Sequence, residues 1–406
     1  VGGPGPARRI EFDLIVVGAG PAGSAAAASA ASAARAGLSV ALVDRADFPR
    51  DKLCGGAFSG RAQGAFARAF GGEMPEAPHL TRSAITFGAF GETLGHFEDI
   101  PPIHLTMRRS LDLALFEAAR AAGARTFTGQ APEALALDGA RPSLRVGETE
   151  LSAPLLIGAD GVSSGVARAL FGRPFDPKEI GFALEVELPE DSDPTGFRID
   201  FGAAAWGYGW VFPKTCGTTV GLGGIHARNP KMRESLAAYL AERGVSGTPR
   251  IKGQYLPFGA PRRVPGAGHV LLAGDAAGLV DPITGEGIAY AMESGRLAAE
   301  AAEAALSEGR PERALIRYRR ALGPTHRAMA HARLIRPVLF QPLLRDAFVA
   351  GFRNSRSLKD DYLRLLAGEL EYADITRKLA ARMPRHIWRA LTLPRDKRHG
   401  IAARLP

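Results

Sequence analysis

Cysteine is scarce in this 406-residue chain, which holds only Cys54 and Cys216. Two thiols close at most one bridge. That excludes a disulfide framework and makes a reducing, cytoplasmic compartment the default expectation. Aromatic residues are sparse too, at 7% with three tryptophans. No apolar run reaches the ~18 residues that span a bilayer, and no basic-then-apolar leader opens the chain. Residues 1–10 lack an initiator Met, are rich in Gly and Pro, and read as a flexible arm. Repeats of solenoid length are absent, as is any nucleic-acid module, and no metal site is expected. Apolar content of 46% and charged content of 23% are ordinary for a globular protein. The length suggests two closely joined domains.

Positive charge is in surplus, at +9 net. It concentrates late, in Arg317-Tyr-Arg-Arg320, in residues 382–389 and in residues 395–399. One reading is a solvated basic helix face. Another is a tail resting on anionic lipid, favoured by Trp388, Leu391 and Leu393 among the arginines, and therefore a peripheral contact with the cytoplasmic face of a membrane. Phosphate-bearing substrates would suit the same field.

Near the N-terminus an apolar run, Leu14-Ile-Val-Val17, breaks into Gly18-x-Gly20-Pro21-Ala22-Gly23. An alanine-rich helix pattern follows over residues 24–36, stopped at Gly37, and a second apolar run ends at Asp44. Strand, glycine turn, helix and acidic strand end form the dinucleotide-binding fingerprint. Gly18 permits the turn, Gly20 lets the backbone approach a pyrophosphate, and Gly23 lets the helix pack on the strand. The helix N-terminus offers N–H groups to phosphates. Asp44, 21 residues after Gly23, is placed to bind a ribose. Three residues more than usual separate Gly23 from Gly37, with Ala-Ser-Ala appearing twice around residues 28–33. Such an insertion lengthens a helix by about 4.5 Å.

Further along, residues 110–123 read as a helix with Ser110 as N-cap and a glycine stop. Leu155–Gly158 and Val270–Ala273 read as buried strands, each running into a turn: Asp160-Gly161 after the first, Gly274-Asp275 after the second. Residues 180–226 have the short strands and turns of an antiparallel sheet. A helix is expected from Ile288, and mostly helix after residue 310.

Arg108 before its helix, the Asp160-Gly161 turn, Gly274-Asp275 and Gly285-Glu286-Gly287-Ile288, in that order, resemble the flavoprotein family typified by p-hydroxybenzoate hydroxylase. The resemblance implies an α/β protein in which a discontinuous Rossmann-like FAD-binding domain carries an inserted antiparallel-sheet substrate domain and a helical C-terminal region. The expected segments are FAD-binding at 11–80, 108–175 and 263–310, substrate-binding at 81–107 and 176–262, and a basic helical region at 311–406. It implies FAD as cofactor, held by the first fingerprint with Arg45 and by Arg108, Asp160, Gly161, Gly274 and Asp275. Gly285, Gly287 and Ile288 would lie near the flavin ring. No second glycine fingerprint is present for NADPH, so an external donor (NADPH or a ferredoxin-like protein) would bind transiently.

Two unusual segments, Asp47-Phe-Pro-Arg50-Asp-Lys52-Leu-Cys54-Gly55-Gly56 and Tyr208-Gly-Trp210-Val-Phe212-Pro213-Lys214, narrow this to a resemblance to the geranylgeranyl reductase family over about residues 11–300. That family saturates isoprenoid double bonds. The resemblance implies that Tyr208, Trp210, Phe212 and Pro213 line an isoprenoid or prenyl-lipid cavity and that Cys54, Gly55 and Gly56 reach the same cavity and the flavin. Cys54 and Tyr208 are the candidate catalytic groups, either as a proton source or, for Tyr208, as holder of a water. The bland alternatives are sheet packing for the aromatics and a small buried filler for Cys54. A flavin monooxygenase or halogenase on the same fold, or a flavin electron carrier, remains an alternative function.

Overall fold

The structure is a computed structural model that describes residues 8–381, apart from 33–37, 73, 190–195, 259–260 and 379–380. Gly37, residues 1–7 and the basic stretches after residue 381, including Trp388, lie outside the described residues.

A six-stranded sheet forms the nucleotide half. Its order is Gly266–Ala267, Val270–Leu272, Leu155–Gly158, Leu14–Val17, Val40–Val43, Arg125–Phe127, and every pairing but the first is parallel. Leu14–Val17 is buried along its length because layers cover both faces, which explains an unbroken apolar run where an alternating one would mark a half-exposed strand. Helix α1 (Pro21–Ser32) follows directly. Its alanines are buried nearly all round, since a helix between two others needs small side chains on every side. Against it lies α6 (Ile288–Ser307), where a Cβ at Gly295 would fall 2.0 Å from the Ala22 carbonyl oxygen.

The segment Arg8–Glu11 is a strand paired in parallel with Thr149–Ser152. The expectation of a flexible arm through residue 10 therefore fails for residues 8–10, which gain backbone hydrogen bonds the Gly/Pro-rich start did not suggest. Helix α3 (Arg108–Ala121) is capped by Met107 without a side-chain bond. Ser110 thus sits inside the first turn, and Arg108 is the first helical residue.

Seven strands make the second sheet, in the order Lys252–Leu256, Gly181–Leu188, Gly217–Ile225, Tyr208–Lys214, Arg198–Phe201, Ile85–Ala89, Glu92–Phe97. All neighbours are antiparallel except Arg198–Phe201 beside Ile85–Ala89. Helix α5 (Met232–Glu242) covers one face, packing Leu236 and Tyr239 against Val211, Val220 and Leu222. The other face meets the C-terminal helices α8 (Gly323–Phe340), α9 (Arg345–Asn354) and α10 (Arg356–Ala367). Side chains alternate across a strand, so Val211 goes to α5 while Trp210 and Phe212 join the cluster holding Phe352 and Tyr362.

Candidate active site

The first strand ends at Gly18, with φ +98° and its N–H donating to the Val43 carbonyl at 2.6 Å. A Cβ there would sit 2.4 Å from the Ala159 oxygen, and one at Gly23 would sit 1.6 Å from the Gly18 oxygen. Both glycines are thus fixed by protein packing. Gly20 differs: its Cβ would meet only Arg50 Nη2, at 3.4 Å, and Gly20, Pro21 and Ala22 line an open groove. Pro21 and Ala22 thereby bring the start of α1, the positive end of its dipole, to this groove. Asp44 holds the turn closed, accepting from Ala19 N at 2.7 Å and Ala46 N at 2.9 Å.

Cations collect at the groove's edge. Asp112, fully buried, binds Arg108 through two bonds of 2.7 and 3.0 Å and also reaches Arg50 Nη2 at 3.1 Å. One carboxylate thereby fixes two guanidinium groups, and it aims Arg50 at the space over Gly20. Lys52 lines the same groove. Burial, and then the neighbouring Arg108, pull its ammonium below the ordinary value, against the attraction of Asp275. Space over Gly20, the start of α1, fixed cations and an acidic strand end fit the pyrophosphate and ribose of FAD. When bound, FAD supplies hydride transfer, and the chain supplies position and environment.

The groove continues without a break into an apolar chamber, giving one cavity of about 600 Å³. Tyr208, Trp210 and Phe212 form its wall, with Phe197 against Phe212 at 5.1 Å between ring centres. Tyr362 and Leu366 of α10 also line it. The Cys54–Gly56 loop lies on this wall: a Cβ on Gly55 would come 2.8 Å from the Phe212 ring. The Cys54 sulfur accepts from the Gly56 N–H at 3.4 Å. Behind the loop, Cys54 N donates at 3.2 Å to Glu185, whose carboxyl burial pushes up to about 7. Burial also lowers the Lys214 ammonium nearby. Tyr208 donates its hydroxyl to the Thr284 carbonyl, and burial pushes its phenol up.

The family model for FAD dependent oxidoreductases matches residues 13–150. A geranylgeranyl diphosphate reductase of Rhodobacter capsulatus is 34% identical over 320 residues, 74% of this chain and 78% of that protein. A digeranylgeranylglycerophospholipid reductase of Methanothermobacter thermautotrophicus is 32% identical over 76% of this chain and 82% of its own length. The chain belongs to the geranylgeranyl reductase family. A menaquinone reductase of Mycobacterium tuberculosis is likewise 35% identical, over 71% of this chain and 76% of that protein. In fold, the chain superimposes on a geranylgeranyl bacteriochlorophyll reductase-like protein of Thermoplasma acidophilum with TM-score 0.75, 22% identity and 92% and 99% coverage. A flavin-dependent brominase shares the fold at TM-score 0.69 and 20% identity, over 93% of this chain and 100% of that one. The chain is therefore an FAD-dependent oxidoreductase with the expected p-hydroxybenzoate hydroxylase-like fold.

The cavity gathers most of the residues singled out by motif. Gly18, Gly20, Pro21, Ala22, Asp44 and Arg45 line it. Arg108, Asp160, Gly161, Asp275, the Cys54–Gly56 loop, Gly285, Gly287 and Ile288 line it too, and a Cβ on Gly285 would come 2.7 Å from the Tyr208 hydroxyl. Asp160 caps α4 (Gly165–Phe171), accepting from Gly165 N at 2.7 Å and Val166 N at 3.2 Å. Three residues fall outside the lining. Pro213 alternates to the face opposite Phe212, so its assignment to the substrate wall is corrected. Gly23 abuts the Gly18 carbonyl. Gly274, with φ +59°, packs under Ala22, where a Cβ would meet the Ala22 methyl at 2.9 Å. These two glycines shape the site without facing a ligand. Arg50 and Lys52, inside a quoted motif, had been given no role. Glu286, inside another quoted motif, likewise had no role; Ser59, Phe197 and Tyr362 had no motif signal, although the alternation in Phe197–Phe201 marks Phe197 and Ile199 as sharing a face.

Proposed function

We propose that this reductase saturates isolated double bonds of an isoprenoid chain on a lipid or prenylated substrate, using FAD-borne hydride renewed by an external donor. The observation that carries the reading is the single cavity in which an FAD groove opens onto a wall of Trp210, Phe212, Phe197 and Ile199. An isolated alkene offers no carbonyl to absorb charge. Its reduction therefore depends on orientation in a dry, shaped chamber, which supplies several kcal/mol when reacting atoms are held in place. The wall supports an apolar, branched substrate over a polar aromatic one, and the relatives named above act on geranylgeranyl and menaquinone compounds.

No described helix is long and apolar enough to cross a membrane. A peripheral contact is supported by exposed Leu334 (67%), Val338 (40%) and Leu344 (37%) on and beside α8. Arg333 and Arg345 lie in the same region, and a prenyl-lipid substrate has to be drawn from a bilayer.

The test is anaerobic incubation of the dithionite-reduced holoenzyme with a geranylgeranyl phospholipid, followed by mass spectrometry. Gain of two hydrogen atoms per saturated bond supports the reading. Unchanged lipid, or oxygen or halide incorporation under aerobic conditions, supports a monooxygenase, a halogenase or an electron carrier instead.

A further inference from the structure

Glu286 has no role in the account above, yet it occupies the segment Gly285–Gly287 beside Tyr208. Its side chain is deeply packed and retains 12% accessibility, and Glu286 and Ser59 both line the cavity. Ser59 is the N-cap of α2 (Gly60–Phe70): its hydroxyl accepts from Ala62 N at 3.3 Å and donates to Glu286 Oε1. Arg61 approaches the second carboxyl oxygen no closer than 3.7 Å, because its Nη1 is taken at 2.8 Å by Glu371.

The charged and titratable groups facing Glu286 come from every element around it. Arg61 comes from α2, Asp281 from the preceding turn and Tyr290 from α6. Tyr208 comes from the sheet, Tyr362 from α10, and Glu371 from the segment after it. Burial dominates over Ser59 and Arg61, and it holds the carboxyl up to about 7. An acid of that strength is about half protonated at neutral pH and can readily release its proton.

The other two candidates are placed differently. Tyr208 spends its hydroxyl proton on the Thr284 carbonyl, and the Cys54 sulfur is turned to its own loop, where it accepts from the Gly56 N–H at 3.4 Å. We propose that Glu286 is the acid that protonates the alkene, with Ser59 holding its carboxyl in place. This rests on the isoprenoid-reductase reading. In the step, the Glu286 O–H bond breaks and the alkene π pair forms the new C–H bond. The adjacent carbon accepts hydride, with its electron pair, from reduced FAD, and the external donor supplies those two electrons. Glu286 is left as a carboxylate facing Arg61 and regains a proton from water.

The test uses FAD-loaded wild type, Glu286→Gln and Glu286→Asp with a geranylgeranyl phospholipid in detergent micelles. Glutamine keeps the shape and the bond from Ser59, so FAD content and lipid Kd are expected to hold. Loss of a general acid is expected to slow saturation by about 10²-fold or more. Aspartate is expected to restore part of the rate. The wild-type rate falls as pH rises through about 7, and the glutamine variant shows no such fall. Infrared spectroscopy, independent of turnover, should show a protonated-carboxyl band that titrates over the same range and is missing from Glu286→Gln. Wild-type activity with an unaltered rate and pH profile in Glu286→Gln overturns the assignment and leaves the reductase reading intact. A wild type that saturates no prenyl lipid overturns both.

Discussion

Replacing Gly20 by alanine separates ligand contact from packing within one turn. The new methyl would meet nothing but the end of Arg50, at 3.4 Å, and would project into the groove assigned to the pyrophosphate. Gly20 has no positive φ, so alanine adopts its backbone conformation without strain. Removing a glycine from the unfolded chain favours the folded state by about 0.4–1 kcal/mol. The apoprotein is thus expected to be as stable as wild type or slightly more so. A methyl pressed into a filled site costs about 1–3 kcal/mol, which weakens FAD binding by roughly 5- to 150-fold. Gly23→Ala is the control, since its methyl would sit 1.6 Å from the Gly18 oxygen. Backbone must move there, and the apoprotein itself should lose stability. The assay pairs thermal unfolding of both apoproteins with titration of FAD by flavin fluorescence quenching. Gly20→Ala binding FAD as tightly as wild type would refute the placement of the pyrophosphate over Gly20.

Other expectations concern the chamber and its acids. Trp210→Ala should lower stability by about 3–5 kcal/mol and weaken prenyl-lipid binding, whereas Trp210→Phe should cost less than about 1.5 kcal/mol. The phenylalanine loses no bond, because the buried Trp210 Nε1 has no hydrogen-bond partner among the described residues; chemical denaturation and lipid titration check both. Cys54→Ala should keep turnover within about tenfold of wild type, or ~1.4 kcal/mol; a larger loss with FAD content unchanged would return the proton-donor role to the thiol. Glu185 and Glu286 are both held up to about 7 against an ordinary 4.5. Between those values the folded state binds more protons than the unfolded one, so stability declines as pH rises from about 4.5 to 7. Each carboxyl contributes at most about 3 kcal/mol to that decline. Denaturation midpoints measured across this range should fall less steeply in Glu286→Gln, and an unchanged slope would contradict the burial of that acid.

The sequence was most informative where function is written locally. Gly18, Gly20 and Asp44 lie within one strand–turn–helix–strand unit, and each type is set locally: by a positive φ and close packing at Gly18, by open space at Gly20, and by the N–H groups of Ala19 and Ala46 at Asp44. Period-two alternation told which face Trp210 and Phe212 share; applied one residue further it also excludes Pro213 from that face. Gly274 looked like a cofactor contact because it neighbours Asp275, which lines the cavity. What fixes Gly274 is the Ala22 methyl, far away in the chain. Ser59 and Glu286 were illegible as a pair because 227 residues separate them, and only the packing of α2 against the start of α6 makes them neighbours. Tyr362 and Leu366 reach the cavity from a helix whose pattern shows amphipathicity and nothing of what it covers. Ser110 was read as a cap from composition, yet the helix begins two residues earlier because Arg108 is drawn inward by Asp112.

The most direct check of the central claim is a single-turnover experiment under strict anaerobiosis, watching the flavin absorbance of fully reduced holoenzyme. On mixing with geranylgeranyl phospholipid the oxidised flavin spectrum should return, with one double bond lost per flavin, and the fully saturated lipid should leave the spectrum unchanged. A flavin that stays reduced in the presence of the unsaturated lipid and reoxidises only when oxygen is admitted would contradict the account.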